Sequence, residues 1–386
     1  MSPKIMIIGS DNTSDRFGAA LAREILALNP ETSLVGVGGP LISAAGVELL
    51  YDISDMASLG VFQSIRGSQV VKRLLKRVAQ AMDDQKPDLV IQIGLPFFEF
   101  RLLEIARAKD IPVFYYYTPF SRGLSGVKTG NFSQVVNKVL AMSRFEAELC
   151  EEIGVEAEFV GHPLNDLADF SLTPEQARKE LGLQAADGRV IAVLPGSREA
   201  EVRNVLPTVL KSLSRVVEQE PDLEIIVSLA PTISAGSLER IVKKCGCERV
   251  RIEKGIYTVL RAADLAITSV GTASLEASLL GIPSLAVYRV PGTTYFVDRL
   301  LDRRPHLTIT NNILRKTVIP EYVQSDFGIA KIAEAIEHLL NDGQSRQAML
   351  AEFSNFKAEL GGPGSIRRAA GAVLQMIGCV KDGTVC

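Results

Sequence analysis

The sequence contains no run of 18 apolar residues, so no segment is predicted to span a bilayer. Its net charge is only −3 at pH 7, and it therefore lacks the basic excess that is typical of nucleic-acid-binding proteins. The amino terminus has no apolar region followed by a small-residue cleavage site. We therefore expect a cytoplasmic protein that binds no nucleic acid.

Cysteines are few and odd in number, which disfavours a disulfide framework and predicts reduced thiols. Cys245 and Cys247 have no second Cys or His pair nearby, so the spacing does not indicate a zinc site. No Asp-x-Asp pair stands at a predicted strand end, where it could hold a divalent cation beside a diphosphate. We expect no metal and no cofactor.

Two common nucleotide motifs are also missing. The sequence has no Gly-x-x-x-x-Gly-Lys-Ser/Thr segment, which excludes a standard P-loop. It has no Gly-x-Gly-x-x-Gly segment, which argues against a dehydrogenase that uses a nicotinamide cofactor.

What is present is a regular alternation of short apolar strands and helical stretches. This alternation over 386 residues is typical of two doubly wound parallel-sheet domains in tandem, each Rossmann-like. The predicted strands are Ile5–Ile8, Ser33–Val37, Asp88–Ile93, Pro112–Tyr117, Lys138–Met142 and Glu156–Val160, then Arg189–Leu194, Leu223–Leu229, Arg249–Ile252, Asp264–Ile267 and Pro283–Tyr288.

The domain boundaries are predicted from this pattern. Residues 1–166 form the first domain, 167–186 a linker, 187–360 the second domain and 361–386 a terminal helix and tail. Ligands of such domains bind beyond the carboxyl ends of the strands, so we expect function in a cleft between the two. His162 lies in the interdomain turn and is expected at this cleft.

The stretch Ile267–Ala277 predicts an anion site. An apolar strand passes through the small residues Gly271, Thr272 and Ala273 into a helix, whose first turn offers N–H groups and the positive end of its dipole. Glu276, one turn later, can accept hydrogen bonds from the vicinal hydroxyls of a ribose. Together these features suggest a nucleotide; the alternative is an ordinary strand–helix unit with a solvated Glu.

The stretch Leu194–Val202 opens the second domain in a similar way. Gly196 allows close approach of the backbone to a ligand, Ser197 can cap the following helix, and Arg198 offers a guanidinium that fits phosphate oxygens. With the Gly271 turn it would bind a diphosphate from two sides. The alternative is a capped helix with a surface arginine.

These motifs resemble the lipid-A-disaccharide synthase family in order and spacing over nearly the whole chain. The resemblance implies the GT-B glycosyltransferase fold, with a C-terminal helix that returns to the first domain. It also implies transfer of 2,3-diacylglucosamine from UDP to 2,3-diacylglucosamine 1-phosphate, with inversion, at the inner face of the cytoplasmic membrane. The stretches that carry the resemblance are Leu194–Val202, Gly271–Glu276, Phe159–Leu164, Val287–Arg289, Asn312 and Glu321–Gln324.

By this resemblance, a set of residues in the second domain would bind the UDP-sugar, and Arg198 would also stabilise the departing UDP. Gly255 would lie near the uracil. The remaining members of the set are Gly196, Ser197, Gly271, Thr272, Ala273, Glu276, Asn312 and Gln324.

The first domain departs from the family pattern. The family's proposed general base, an Asp after a proline, is here Phe97, and an acid of the family appears as Gln63. A phenylalanine cannot accept a proton, and loss of a general base costs on the order of 10²–10⁴ in rate. Glu99 and Asp15 are the nearest carboxylates by sequence and are the alternative catalytic candidates.

The kept donor motifs and altered first domain leave several functions open. The protein could use another carboxylate, transfer to a related acceptor, or bind nucleotide sugar without transfer. A UDP-sugar 2-epimerase shares this architecture and would act without an acceptor. The oligomeric state, monomer or homodimer, is also left open.

A basic amphipathic helix is predicted at residues 69–78. Its basic residues recur at helical spacing, so the helix could lie on an anionic membrane surface. The favoured interpretation is that it covers the sheet with its charges in water. The basic residues are Lys72, Arg73, Lys76 and Arg77.

Overall fold

The computed structural model describes residues 2–9, 11–53, 69–94, 100–118, 129–183, 188–220, 222–247, 249–289, 306–378, 380–381 and 384–385. The chain divides into two units. Met1–Asp166 and Glu359–Cys386 form the first unit, and Leu167–Ala358 form the second.

In the described part of the first unit, seven parallel strands form one sheet in the order β3-β2-β1-β4-β5-β6-β7. Its central strands are buried, as expected for a parallel sheet covered by helices on both faces. All six predicted strands are confirmed, and β3 is an addition. The strands are β1 (Lys4–Gly9), β2 (Ser33–Gly38), β3 (Glu48–Asp52), β4 (Leu89–Ile93), β5 (Val113–Tyr116), β6 (Lys138–Ala141) and β7 (Glu156–Phe159).

The helices of this unit follow the strands as crossover connections. The first begins with a capping box, in which Asp11 and Ser14 exchange hydrogen bonds between side chain and backbone. The helices are α1 (Asn12–Leu28), α2 (Pro40–Ala44), α3 (Gln69–Gln85), α4 (Phe100–Ala108), α5 (Thr129–Val135), α6 (Arg144–Glu152) and α7 (Leu164–Leu167).

Helix α3 is the predicted basic helix, and it covers the sheet. Val71, Leu74 and Val78 are buried in the core of the first unit. The basic side chains on its other face are exposed, which confirms the favoured interpretation. Its apolar face is already used in the core, so any contact of α3 with a membrane would be electrostatic. Across the described residues, no helix combines the length and hydrophobicity needed to cross a bilayer.

The second unit contains a six-stranded parallel sheet among its described residues, in the order β10-β9-β8-β11-β12-β13. All five predicted strands are present, and the edge strand β13 is an addition. The strands are β8 (Val190–Leu194), β9 (Glu224–Ser228), β10 (Val250–Glu253), β11 (Leu265–Ser269), β12 (Ser284–Tyr288) and β13 (Glu321–Val323).

The helices of the second unit again cover both faces of the sheet. The first of them begins with a capping box between Thr173 and Gln176. The helices are α8 (Pro174–Glu180), α9 (Glu199–Gln219), α10 (Ala235–Cys245), α11 (Ile256–Ala262), α12 (Thr272–Leu280), α13 (Ile309–Leu314), α14 (Ile329–Asn341) and α15 (Gly343–Glu359). Two doubly wound parallel-sheet domains are therefore confirmed.

The C-terminal helix α16 (Ser365–Met376) belongs to the first unit, as predicted, and it packs against α1. Its N-terminus is capped by a residue about 200 positions earlier. The Asp166 carboxylate accepts the N–H groups of Gly364 (2.5 Å) and Ile366 (2.8 Å) and the Ser365 hydroxyl (2.7 Å). We call this arrangement the Asp166 cap. Helix α16 is followed in the chain by a short hairpin of β14 (Val380–Lys381) and β15 (Thr384–Val385).

Three further contacts fasten the segment that leads into α16. The Asn165 amide donates to the carbonyls of Leu360 and Gly361, both at 2.9 Å. The Arg368 guanidinium donates to the carbonyl of Val160 at 2.9 Å. Residues 160–165, which follow β7, are thus joined to residues 360–368 by hydrogen bonds to the backbone.

Candidate functional site

The point where strand order reverses in the second sheet lies between β8 and β11. These strands are parallel neighbours, with Leu194 paired to Thr268, so their carboxyl ends lie side by side. The Ser269 hydroxyl is 3.3 Å from the position that a Cβ would take on Gly196. The structure therefore brings the Gly196 turn beside the strand that leads to the Gly271 turn, at the place where doubly wound domains bind ligands.

Both turns lead directly into helices whose N-termini carry no side-chain cap. Arg198 is the N-cap of α9 and Gly271 is the N-cap of α12, and neither makes a side-chain capping hydrogen bond among the described residues. The prediction that Ser197 caps α9 is wrong, because the helix begins one residue later. The Ser197 carbonyl instead accepts the Thr232 hydroxyl at 2.6 Å. First-turn N–H groups without a side-chain cap favour an anion.

The backbone conformation at both turns requires glycine. Gly196 has φ +118° and Gly271 has φ +153°, both unfavourable for residues with a Cβ. At Gly196 a Cβ would also lie 2.6 Å from a carboxylate oxygen of Glu201. At Gly271 there is open space around the Cβ position, so the constraint is the dihedral angle alone.

The Arg198 side chain is the cation of this site. It is 67% exposed, and its Nη1 donates to Oε1 of Glu201 at 3.0 Å. Glu201 lies in the first turn of α9 and is only 17% exposed. A guanidinium carries five N–H donors, so an ion pair with one carboxylate leaves donors for phosphate oxygens.

Beside the Gly271 turn, Thr272 and Ala273 form the first turn of α12 and are partly exposed. Glu276 follows and is buried, with 3% of its surface exposed. The Tyr257 hydroxyl donates to Oε1 of Glu276 at 2.7 Å. Gly255, in the left-handed region with φ +87°, is the N-cap of the helix that carries Tyr257.

Tyr257 therefore links two regions that the sequence predicts to bind the nucleoside, the Gly255 turn and Glu276. Sequence reasoning missed this residue. An aromatic residue two positions after a glycine gives no sign of its partner, because the pairing depends on how α11 packs beside α12.

Asn312 has a well-defined structural role. It is 5% exposed, and its amide donates to the carbonyls of His306 (3.0 Å) and Thr308 (2.9 Å). The neighbouring Glu321 accepts the N–H groups of Leu307 and Thr308, both at 2.9 Å. These bonds hold the segment that precedes α13 against β13, and sequence reasoning missed Glu321 as its organising carboxylate.

Gln324 directly follows β13 at the edge of the sheet. Its φ of +51° is unusual for a residue with a side chain, and its N–H donates to the Tyr288 carbonyl at 3.3 Å. It thus lies at the carboxyl ends of β12 and β13, on the same edge of the sheet as the two glycine turns.

In the first unit, the Asp15 carboxylate is engaged in local structure. It is 4% exposed and accepts the N–H groups of Gly39 (2.8 Å), Leu41 (3.1 Å) and Ile42 (3.0 Å). These bonds cap α2 from a different helix. They leave the prediction of Asp15 as a general base without geometric support, because the carboxylate is occupied by three backbone donors.

The other catalytic candidate, Glu99, lies outside the described residues, as do Phe97 and Gln63. The described residue before this segment is Gly94, whose φ is +89°. A Cβ on Gly94 would lie 3.2 Å from the Ser14 side chain. Gly94 therefore lies beside α1, at the point between β1 and β4 where the order of the first sheet reverses.

His162 is a buried residue of the first unit. Its ring is 3% exposed and meets the Phe17 ring edge to face at 5.6 Å. The ring Nδ1 accepts the Leu164 N–H at 3.1 Å, and the backbone N–H of His162 donates to the Leu360 carbonyl at 2.9 Å. Burial, with a smaller contribution from Arg16, lowers the pKa of His162 to about 3. The imidazole is therefore neutral, and it is the backbone N–H of His162 that fastens the segment before α16, through Leu360.

Glu146 is a second buried titratable group, which sequence reasoning missed. It accepts hydrogen bonds from the Thr118 hydroxyl and from the Met142 N–H, the latter at 2.6 Å. Burial raises the pKa of the Glu146 carboxyl to about 7. The side chain joins the residues that follow β5 and β6 at the carboxyl edge of the first sheet.

The described part of the chain contains no cluster of potential metal ligands. No group of three or more His, Cys, Asp or Glu side chains there could hold a metal ion. The expectation that no metal or cofactor takes part stays a prediction.

Comparison with known proteins identifies the family. A family model described as lipid-A-disaccharide synthetase matches residues 5–375. The chain belongs to the lipid-A-disaccharide synthase family. It is 33% identical over 377 residues to the lipid-A-disaccharide synthase of Geobacter sulfurreducens, with 98% of each chain covered. It is 31% identical over 375 residues to that of Myxococcus xanthus, covering 97% of this chain and 98% of the relative.

Solved structures support the same fold at low sequence identity. The UDP-GlcNAc 2-epimerase from Neisseria meningitidis bound to UDP-GlcNAc has a TM-score of 0.65 at 13% identity, with 96% of this chain and all of that chain covered. The GT-B-type fold predicted for this lipid-A-disaccharide synthase family member is confirmed. Family membership makes the protein a glycosyltransferase of lipid A biosynthesis.

Proposed function

We propose that this protein transfers an acylated glucosamine from UDP to an acylated glucosamine 1-phosphate, with inversion at the anomeric carbon. The observation that carries the proposal is the pair of glycine turns at the strand-order reversal of the second sheet. Each turn leads into a helix N-terminus without a side-chain cap, and Arg198 stands at one of them. This arrangement suits a diphosphate.

The donor is proposed to lie along the carboxyl edge of the second sheet. Arg198 and the first-turn N–H groups of α9 and α12 would bind the diphosphate, including those near Ser197, Thr272 and Ala273. Glu276, held by Tyr257, would accept the ribose hydroxyls, and the Gly255 turn would contact the uracil. Asn312 and Gln324 complete the proposed donor site at its far edge.

The chemistry follows from where charge develops. The acceptor hydroxyl attacks the anomeric carbon while the bond to the UDP oxygen breaks, so negative charge grows on the diphosphate. Arg198 and the two helix N-termini stabilise this charge, a contribution worth on the order of 10²–10³ in rate for one well-placed donor. The hydroxyl proton is lost to a base, for which Glu99 is the candidate by sequence.

The proposed partners follow from this reaction: a UDP-sugar donor, an acylated sugar acceptor and the inner-membrane surface where acylated sugars reside. The exposed basic face of α3 would supply electrostatic attraction to anionic lipid headgroups. A peripheral position on the cytoplasmic membrane is part of the proposal.

The test is UDP release by purified protein given UDP-2,3-diacylglucosamine, with and without 2,3-diacylglucosamine 1-phosphate. We expect release only when the acceptor is present. Arg198→Ala should lower kcat about 10²-fold. Arg203→Ala is the matched control, since it removes the same charge from an exposed position further along α9 and should have little effect.

Two alternatives give different results in the same assay. Donor binding without UDP release, with release gained in Phe97→Asp, would show a binding protein that lacks the family's base. Conversion of a UDP-sugar without acceptor would show a 2-epimerase, a function suggested only by the shared fold. Unchanged turnover in Glu99→Gln would remove Glu99 as the base.

A further inference from the structure

The Gly196 turn carries a negative charge as well as a positive one. The Glu201 side chain folds back over the turn, so that its Oε2 lies 2.6 Å from the Cβ position of Gly196 and its Oε1 accepts from Arg198. The carboxylate thus occupies space directly beside the glycine whose missing side chain opens the turn. It is mostly buried, whereas Arg198 is mostly exposed.

A carboxylate at this place is favourable in the protein without a ligand. It balances the positive N-terminal end of α9 and the guanidinium of Arg198. The same carboxylate is unfavourable when a diphosphate arrives, because two anions then share one set of donors. Like charges a few ångströms apart repel strongly at a partly buried site.

We infer that Glu201 is an internal competitor for the diphosphate, and that donor binding requires Arg198 to exchange Glu201 for phosphate oxygens. Glu201 is therefore a positioning residue that weakens nucleotide binding and favours release of UDP after transfer. This inference rests on the proposed function and adds to it the control of affinity at the diphosphate.

Glu199 provides a matched control in the same helical turn. It carries the same charge, but its carboxylate accepts the Ser237 hydroxyl at 2.8 Å and makes no described contact with Arg198. A change from Glu to Gln at either position removes one negative charge and keeps the size of the side chain. The Glu201→Gln side chain also keeps an amide oxygen that can accept from Arg198, so the fold of the turn is preserved.

The experiment is calorimetric titration of UDP, and of uridine, into the unmodified protein and its variants. Glu201→Gln should tighten UDP binding on the order of tenfold, while Glu199→Gln should change it less than about twofold, as expected for a more distant and screened charge. Uridine has no phosphate, so its affinity should be the same in all three proteins. In an Arg198→Ala background, Glu201→Gln should produce a smaller gain, because the competition for the guanidinium is gone.

Three results would overturn the inference. UDP binding that is unchanged or weaker in Glu201→Gln would show that Glu201 holds Arg198 in place for the donor instead of competing with it. An equal increase in UDP affinity in Glu199→Gln would show that the effect arises from the net charge of the protein and not from the position of Glu201. Absence of UDP binding to the folded, unmodified protein would overturn the proposed function and this inference together. If the unmodified protein binds UDP and the variants bind it with the same affinity, the inference alone is overturned.

Discussion

Removing the Asp166 cap should loosen the C-terminal helix without unfolding the molecule. Asp166→Ala deletes the acceptor of three hydrogen bonds to Gly364, Ser365 and Ile366. Because Asp166 lies at the surface, we count the loss as that of a helix cap, about 2 kcal/mol. That free energy corresponds to about a 30-fold increase in local opening of α16.

Hydrogen exchange followed by mass spectrometry measures this opening directly. Peptides from α16 should exchange about 30-fold faster in Asp166→Ala, while peptides from the central strands keep their protection. Asp342→Ala is the matched control. Asp342 accepts bonds from Gln344 and Ser345 at the start of α15, so its loss should affect α15 and leave α16 unchanged.

Unchanged protection of α16 in Asp166→Ala would refute this reasoning. It would mean that packing of α16 against α1 holds the helix closed by itself and that the cap adds nothing measurable. Faster exchange throughout the first unit would also contradict it, because the effect would then be global.

Three further predictions concern single side chains. Tyr257→Phe removes the hydroxyl bound to Glu276 and should weaken UDP binding, measured by calorimetry, about tenfold. With 2′-deoxy-UDP, which lacks one ribose hydroxyl, the same substitution should weaken binding less. Equal losses of affinity with the two ligands would contradict the proposed ribose contact. For His162, the folded pKa near 3 lies below the ordinary value of 6.5, so the native state binds fewer protons and stability falls as pH drops from 6.5 to 3. His162→Asn keeps an acceptor for the Leu164 N–H, and its unfolding free energy in urea should lack this pH-dependent loss, which is up to about 5 kcal/mol. An identical pH profile in the variant and the unmodified protein would exclude His162 as the source of the loss. For Glu146, the folded pKa near 7 lies above the ordinary 4.5, so stability falls by up to about 3 kcal/mol as pH rises from 4.5 to 7. Glu146→Gln should remove this fall when its urea unfolding is measured over the same pH range.

The fold was predictable because its signals are local. Buried parallel strands read as apolar runs, and each of the eleven predicted strands is present in the structure. The edge strands β3 and β13 escaped prediction, whereas the edge strands β7 and β10, which are no more deeply buried, were predicted. The hydrophobic pattern of a half-buried strand of three to five residues therefore identifies some such strands and not others.

The donor-side turns were also predictable, since a strand, a glycine and a helix follow one another within a few residues. The roles of Asp15 and His162 were not. Their partners lie about 25 and about 200 residues away, at Gly39 and Leu360, and no local pattern identifies such contacts. The same reason hid Tyr257 as the partner of Glu276.

The division of the chain bears on the order in which the protein folds during synthesis. Leu167–Ala358 is continuous, so the second unit is complete once the ribosome has passed Ala358. The first unit lacks α16 until residues 365–376 emerge, and the faces of α1 and of the Asp166 region that receive this helix stay uncovered until then. The half of the protein made first is therefore expected to be finished last, and a chain that stops short of Ser365 should carry an intact second unit beside an incomplete first one.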